Sequence, residues 1–128
     1  MRPRNVILTG PPRAGKTLTA TLLNRLPDTV ALNEPMGKKH FKDRGTVLKE
    51  VEGMFRVMRR SLLKDGVAAA RGVDPSADLL EKMEDTNRFR VRFKKALSRD
   101  FLLAIEHAMG FTAVLPELNG RYPCFAVV

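Results

Sequence analysis

The sequence predicts an α/β fold in which a parallel sheet is flanked by helices, and three observations carry that expectation. Four short apolar runs, Asn5–Thr9, Thr29–Leu32, Phe101–Ile105 and Cys124–Val128, read as buried strands. Segments with helical spacing stand between them, and strands alternating with helices pack as a parallel sheet covered on both faces. Between the first run and the first helix lies Gly10-Pro-Pro-Arg-Ala-Gly-Lys-Thr17, which fits the pattern G-x-x-x-x-G-K-[ST] at every fixed position. At 128 residues the chain has the length of one domain, and 44% hydrophobic residues suffice for a core.

The elements follow in order. Asn5–Thr9 is a strand, and Lys16–Arg25 a helix with Leu18, Leu22, Leu23 and Leu26 on its apolar side. A strand, a glycine loop and a helix start make backbone N–H groups converge, and the helix dipole adds positive potential there, so the loop suits a phosphate-like anion. Gly10 and Gly15 allow a close backbone approach, Lys16 offers an ammonium and Thr17 a hydroxyl. Leu26-Pro27-Asp28 makes a turn into the second strand, Thr29–Leu32. Asn33-Glu34-Pro35 ends it, leaving Glu34 near a strand's carboxyl end. Polar residues from Met36 to Arg44 read as a loop. Thr46 is placed to cap a helix reaching about Leu63, with Val47, Val51, Met54, Phe55, Met58 and Leu62 inward.

Asp65–Ala77, with two glycines and a proline, reads as loop, and Asp78–Glu84 as one or two helical turns. From Arg88 to Lys95 apolar Phe89, Val91 and Phe93 alternate with Arg88, Arg90, Arg92 and Lys94. A period of two suits an edge strand with a solvated basic face, in preference to a site for an anionic acceptor or nucleic acid. The third strand ends at Glu106-His107, Thr112–Asn119 reads as a helix, and Cys124–Val128 is the last strand. Open parallel sheets bind ligands at the carboxyl ends of their strands, where Glu34, Glu106 and His107 join the glycine loop. A buried parallel strand is ordinarily followed by a covering helix. None follows Val128, so residues 1–128 are expected to be the N-terminal part of a longer domain, the alternative being a minimal fold that stops there.

Composition narrows the function. The net charge of +9 implies attraction to anions without choosing among them. No apolar stretch approaches the ~20 residues of a membrane span and the N-terminus lacks a signal peptide, so a cytoplasmic protein is expected. Cys124 is the single cysteine, which excludes an internal disulfide and a cysteine zinc cluster. His40 and His107 are the two histidines and lack metal-ligand spacing, so no bound transition metal is expected. Aromatic residues are 6% and tryptophan is absent, which ranks a non-catalytic nucleic-acid-binding module last.

Val6–Leu18, with Leu22-Leu-Asn-Arg-Leu-Pro27 and Val30-Ala-Leu-Asn-Glu-Pro35, resembles the N-terminal part of sulfotransferases. That family uses 3′-phosphoadenosine 5′-phosphosulfate and belongs to the P-loop nucleoside triphosphatase superfamily, with a three-layer α/β/α fold. Its loop commonly reads Pro-Arg-Ser-Gly-Thr-Thr, against Pro12-Arg-Ala-Gly-Lys-Thr17 here. Ala104-Ile-Glu-His107, Leu115-Pro-Glu117 and Cys124–Val128 resemble the family's stretch around a catalytic histidine. The resemblance implies that Gly10, Pro11, Pro12, Arg13, Ala14, Gly15, Lys16, Thr17 and Leu18 hold the donor. It makes Arg13 also a stabiliser of the transferring group and His107 the general base, with Glu34 as the base used by some relatives. The acceptor would be a hydroxyl or amine on a small molecule or glycan. Two departures stand beside it: Lys16 replaces the usual threonine, and the family's 3′-phosphate ligands would lie past Val128. The alternative is an Mg²⁺-dependent kinase or triphosphatase using ATP or GTP, with Thr17 and Glu106 serving the metal.

Overall fold

The computed structural model describes residues 4–10, 15–36, 45–84, 87–107, 111, 114–118, 120–122 and 124–126. Strand β1 is Arg4–Thr9, helix α1 Lys16–Leu23, β2 Thr29–Asn33 and α2 Val47–Asp65. Then come β3 (Val67–Arg71), β4 (Ala77–Lys82), β5 (Arg88–Phe93), β6 (Leu102–Glu106), α3 (Leu115–Leu118) and β7 (Cys124–Ala126). The four expected apolar strands form one parallel sheet in the order β2-β6-β1-β7, so the mixed α/β architecture stands as expected.

Alternation along the strands decides which helix each residue meets. Ile7, Val30, Leu32, Leu103 and Ile105 share a cluster with Val47, Val51, Met54, Phe55 and Leu62 of α2. Val6, Ala31 and Ala104, on the opposite face, pack with Ala20 and Leu23 of α1. The inner face of α1 is therefore not the leucine stripe. Leu18, Leu22 and Leu26 are 62%, 52% and 50% exposed. Leu18 and Leu22 lie one four-residue step apart, whereas Ala20 stands about 160–200° around the helix from them, and Leu26 lies past the end of α1. Small side chains on both partners let α1 sit close to the sheet, and that face wins.

The outer edge of β2 is blunted by side chains. Glu34 N–H donates to the Glu106 carbonyl at 2.7 Å, so by the period of two Thr29, Ala31 and Asn33 turn their backbone groups away from β6. The buried Asn24 side chain answers Ala31 like another strand, accepting its N–H at 2.7 Å and donating to its carbonyl at 3.0 Å. Lys95 Nζ donates to the carbonyls of Asn24, Leu26 and Thr29, closing the end of α1 and the turn after it. At the opposite end of the sheet, buried Arg59 donates to the Phe101 carbonyl at 2.8 Å and to Asn5 Oδ1 at 2.6 Å.

A second, antiparallel sheet, β3-β5-β4, is inserted between α2 and β6, and it overturns three local expectations. The segment expected as loop contains β3. Gly66 turns out of α2 at φ +76 and sends Ala68 and Ala70 into the core. The segment expected as helical turns contains β4. Its helix-forming residues are overridden by pairing with β5, supported by a Glu81–Arg90 ion pair across the strands and an Asp78–Lys94 pair just past the end of β5, both 2.9 Å. The basic strand β5 is the central strand rather than an edge. Helix α2 starts at Val47 as expected, but the Thr46 hydroxyl pairs with the Glu50 carboxylate at 3.1 Å and makes no side-chain cap to the backbone.

Candidate functional site

Gly10 to Thr17 occupies the join between β1 and α1, with β6 and β7 on either side of β1. Gly10 has φ 150 and Gly15 φ 90, backbone conformations that side chains disfavour. Gly15 is the N-cap of α1, and its carbonyl already accepts Thr19 N–H at 2.9 Å. The helix amides before Thr19 have no intrahelical acceptor, and no acidic residue stands in the first turn to compete for them. Pro11, Pro12, Arg13 and Ala14 lie outside the described residues. Lys16 and Thr17 open the helix, with Thr17 exposed, and Leu18 turns to solvent.

The carboxyl ends of β2 and β6 meet beside this join. Glu34 stands at φ 43, an uncommon conformation for a residue with a side chain and one that clusters at functional sites. It is held there from three directions. Its N–H bonds the Glu106 carbonyl, Arg88 Nε donates to its carbonyl at 2.9 Å, and Arg71 Nη1 meets its carboxylate Oε2 at 2.7 Å. A second Arg88 nitrogen donates to the Met36 carbonyl, so one guanidinium fixes the chain's exit from β2. The Glu34 partner raises the Arg71 pKa through the hydrogen bond first and the charge second.

His107 extends β6 by one residue, its N–H donating to the Leu8 carbonyl at 3.3 Å. The residue is buried, and its ring stands 6.0 Å from that of Phe111. Burial lowers the imidazole pKa, against the opposing pull of Glu34 and of a hydrogen bond with the Met36 backbone. The neutral ring is thus the favoured form, with Glu34 and Arg88 as its charged neighbours. Glu106 is buried at the end of β6, opposite Leu8 of β1 and Asn33 of β2.

Glu34, Glu106 and His107, named from sequence, are therefore brought to one end of the sheet. Sequence reasoning missed Arg71, which it had placed in a loop, and the use of Arg88, which it had placed on a solvated edge. Neither role has a local signal, because both depend on where the inserted sheet meets β2. Of the other cations here, Arg90 of β5 pairs with Glu81 of β4, and just past the strand Lys94 pairs with Asp78 while Lys95 donates to three backbone carbonyls. A larger cavity, about 650 Å³, opens elsewhere, between α2 and Tyr122 and lined also by Asn5 and Arg59.

Among the described residues no group of three or more His, Cys, Asp or Glu could hold a metal ion. No described helix is long and apolar enough to cross a membrane. No protein-family model matches the chain, and neither a curated protein nor a solved structure does.

Proposed function

We propose that this chain is a nucleotide-dependent group-transfer domain of the P-loop kind, most like a sulfotransferase. The observation that carries the reading is the position of the Gly10–Thr17 pattern. It joins the carboxyl end of a strand lying between two parallel neighbours to the open N-terminus of a helix. That join supplies amides and dipole for a phosphate or phosphosulfate, and Arg13 and Lys16 would add charge. A three-layer arrangement, with α1 and α2 on opposite faces of the sheet, is consistent with it.

In this reading an acceptor hydroxyl or amine attacks the sulfur of 3′-phosphoadenosine 5′-phosphosulfate. The bond from sulfur to the bridging phosphate oxygen breaks, adenosine 3′,5′-bisphosphate leaves, and the acceptor's proton passes to a base. Glu34 and His107 are the two candidates. Glu34 keeps 15% of its side chain exposed, whereas His107 is buried, so Glu34 is the better placed to touch an acceptor. His107 then lies behind it as a neutral neighbour.

A second reading, phosphoryl transfer from ATP or GTP with Mg²⁺, is favoured by Lys16 and by Glu106. Glu106 ends the strand beside β1, where a carboxylate could hold the metal's water shell. Thermal-shift titration with adenosine 3′,5′-bisphosphate, ATP and GTP, each with and without Mg²⁺, separates the two. A ligand that binds the native state raises the melting temperature with the logarithm of its excess over Kd. The bisphosphate should stabilise the protein without metal. Stabilisation by ATP or GTP alone, abolished by EDTA, selects the kinase reading, and no shift with any nucleotide refutes both.

A further inference from the structure

The inserted sheet meets the parallel sheet along the free edge of β2, and a cavity of about 240 Å³ lies in the angle. Its lining includes Thr17, which opens α1, Asn33 of β2, Arg71 of β3 and Asp74. The volume equals that of about eight water molecules at ~30 Å³ each, so it suits a small molecule or the end group of a larger one.

Three features of the walls specify what fits. First, Arg71 belongs both to the cavity and to the site described above. Its Nη1 is engaged by Glu34, while 54% of its side chain is exposed and its other N–H groups have no partner among the described residues. A guanidinium with donors left over matches the planar oxygens of a carboxylate or the tetrahedral oxygens of a phosphate or sulfate. Second, the Asp74 charge has a cation of its own. Its carboxylate accepts from the Ser76 N–H and hydroxyl and from Asn24 Nδ2, which hold it ionised against burial, and the Lys95 ammonium nearby partly balances that charge. Third, Asn24 occupies both outward backbone groups of Ala31 and Lys95 the carbonyl of Thr29, whereas Asn33, whose backbone groups turn away from β6 by the same alternation, is one of the residues lining the cavity. Its backbone groups offer a donor and an acceptor to a polar ligand.

We propose that this cavity is the acceptor pocket, and that it takes an acceptor bearing an anionic group, held by Arg71, beside the hydroxyl or amine presented to Glu34. The inference rests on the group-transfer reading. The 2.7 Å pair between Arg71 and Glu34 fixes the ligand's anion and the proton-accepting carboxylate next to one another. Thr17, also in the lining, connects the cavity to the Gly10–Thr17 join from which the donor would come.

Amide spectra of the nitrogen-15-labelled chain, titrated with glycerol 3-phosphate, glycerate and glycerol, test this directly. The phosphate and the carboxylate should both shift the amides of Asn33, Arg71 and Gly72, and glycerol should not. The shifts should persist in Lys16→Ala, which separates this pocket from the phosphate loop. Arg71→Gln should weaken binding about tenfold or more, since hydrogen bonds to a charged group are lost, and Arg71→Lys should restore part of it. Response to only one of the two anions narrows the class to that anion and upholds the pocket. Shifts confined to Gly15 and Thr17 and lost in Lys16→Ala would overturn the pocket while upholding the phosphate loop. Undiminished binding by Arg71→Gln would overturn it as well. Anion shifts at Arg71 in a chain that no nucleotide stabilises would overturn its role as an acceptor pocket for transfer.

Discussion

Replacing Asn24 by Ala removes three hydrogen bonds from a residue that is 2% exposed: two with the Ala31 backbone, at 2.7 and 3.0 Å, and one with Asp74 at 2.9 Å. Two Ala31 backbone groups are left without their partner, at about 1–3 kcal/mol each when buried. Water entering from the adjoining cavity can reach them, so the lower half of the range applies and the expected loss is about 2–4 kcal/mol. With an m-value of roughly 2 kcal/mol/M, the urea midpoint followed by circular dichroism should fall by about 1–2 M at unchanged slope. Asn24→Asp sharpens the test. It keeps an acceptor for the Ala31 N–H but sets a carboxylate against the Ala31 carbonyl and against Asp74. Two carboxylates sharing a site raise the pKa of one. A folded-state pKa raised above the unfolded value contributes stability at low pH that is lost as pH rises through it. Asn24→Asp should therefore be the weaker variant at pH 7 and recover toward the parent near pH 4. A midpoint for Asn24→Ala within experimental error of the parent, or a pH-independent Asn24→Asp, would refute the idea that this side chain completes the edge of β2.

Gly66→Ala should destabilise by more than about 1 kcal/mol, because φ +76 disfavours a side chain and the new Cβ would stand 2.6 Å from the Phe93 carbonyl oxygen; denaturant unfolding reads this. His107 should titrate below the ordinary histidine value of 6.5, since burial is the leading influence on it. The unfolded chain then binds the proton more readily, so this residue's contribution is full above about pH 6.5 and declines as pH falls through the lowered value; a normal pKa by proton NMR would contradict its buried setting. Lys16→Ala should weaken nucleotide binding at least about tenfold in calorimetry, with hydrogen bonds to a charged group at stake, and unchanged affinity would remove the lysine from the site.

Legibility in the sequence followed locality. The motif Gly10–Thr17 and the four apolar strands were readable because turn chemistry and short apolar runs are properties of adjacent residues. So was the carboxyl-end position of Glu34, since Pro35 ends the run. Helix α2 was readable over four turns for the same reason, its core face recurring at helical spacing from Val47 to Leu62. By contrast, Leu18, Leu22 and Leu26 misled. Which face of α1 turns inward depends on the alanines waiting at Ala31 and Ala104, and these lie on other elements. The strand character of Ala77–Lys82 was hidden too, since Leu, Glu and Lys favour a helix until β5 offers cross-strand partners.

By itself, then, the sequence determined that a glycine-bearing motif joins the first strand and first helix of a parallel α/β sheet, because those features are written in contiguous residues. Only the tertiary structure decided that an inserted antiparallel sheet leans on β2. It alone brought Arg71 and Arg88 to Glu34 across 37 and 54 positions of chain. Such pairings arise from the packing of one sheet against another, and no local pattern encodes them.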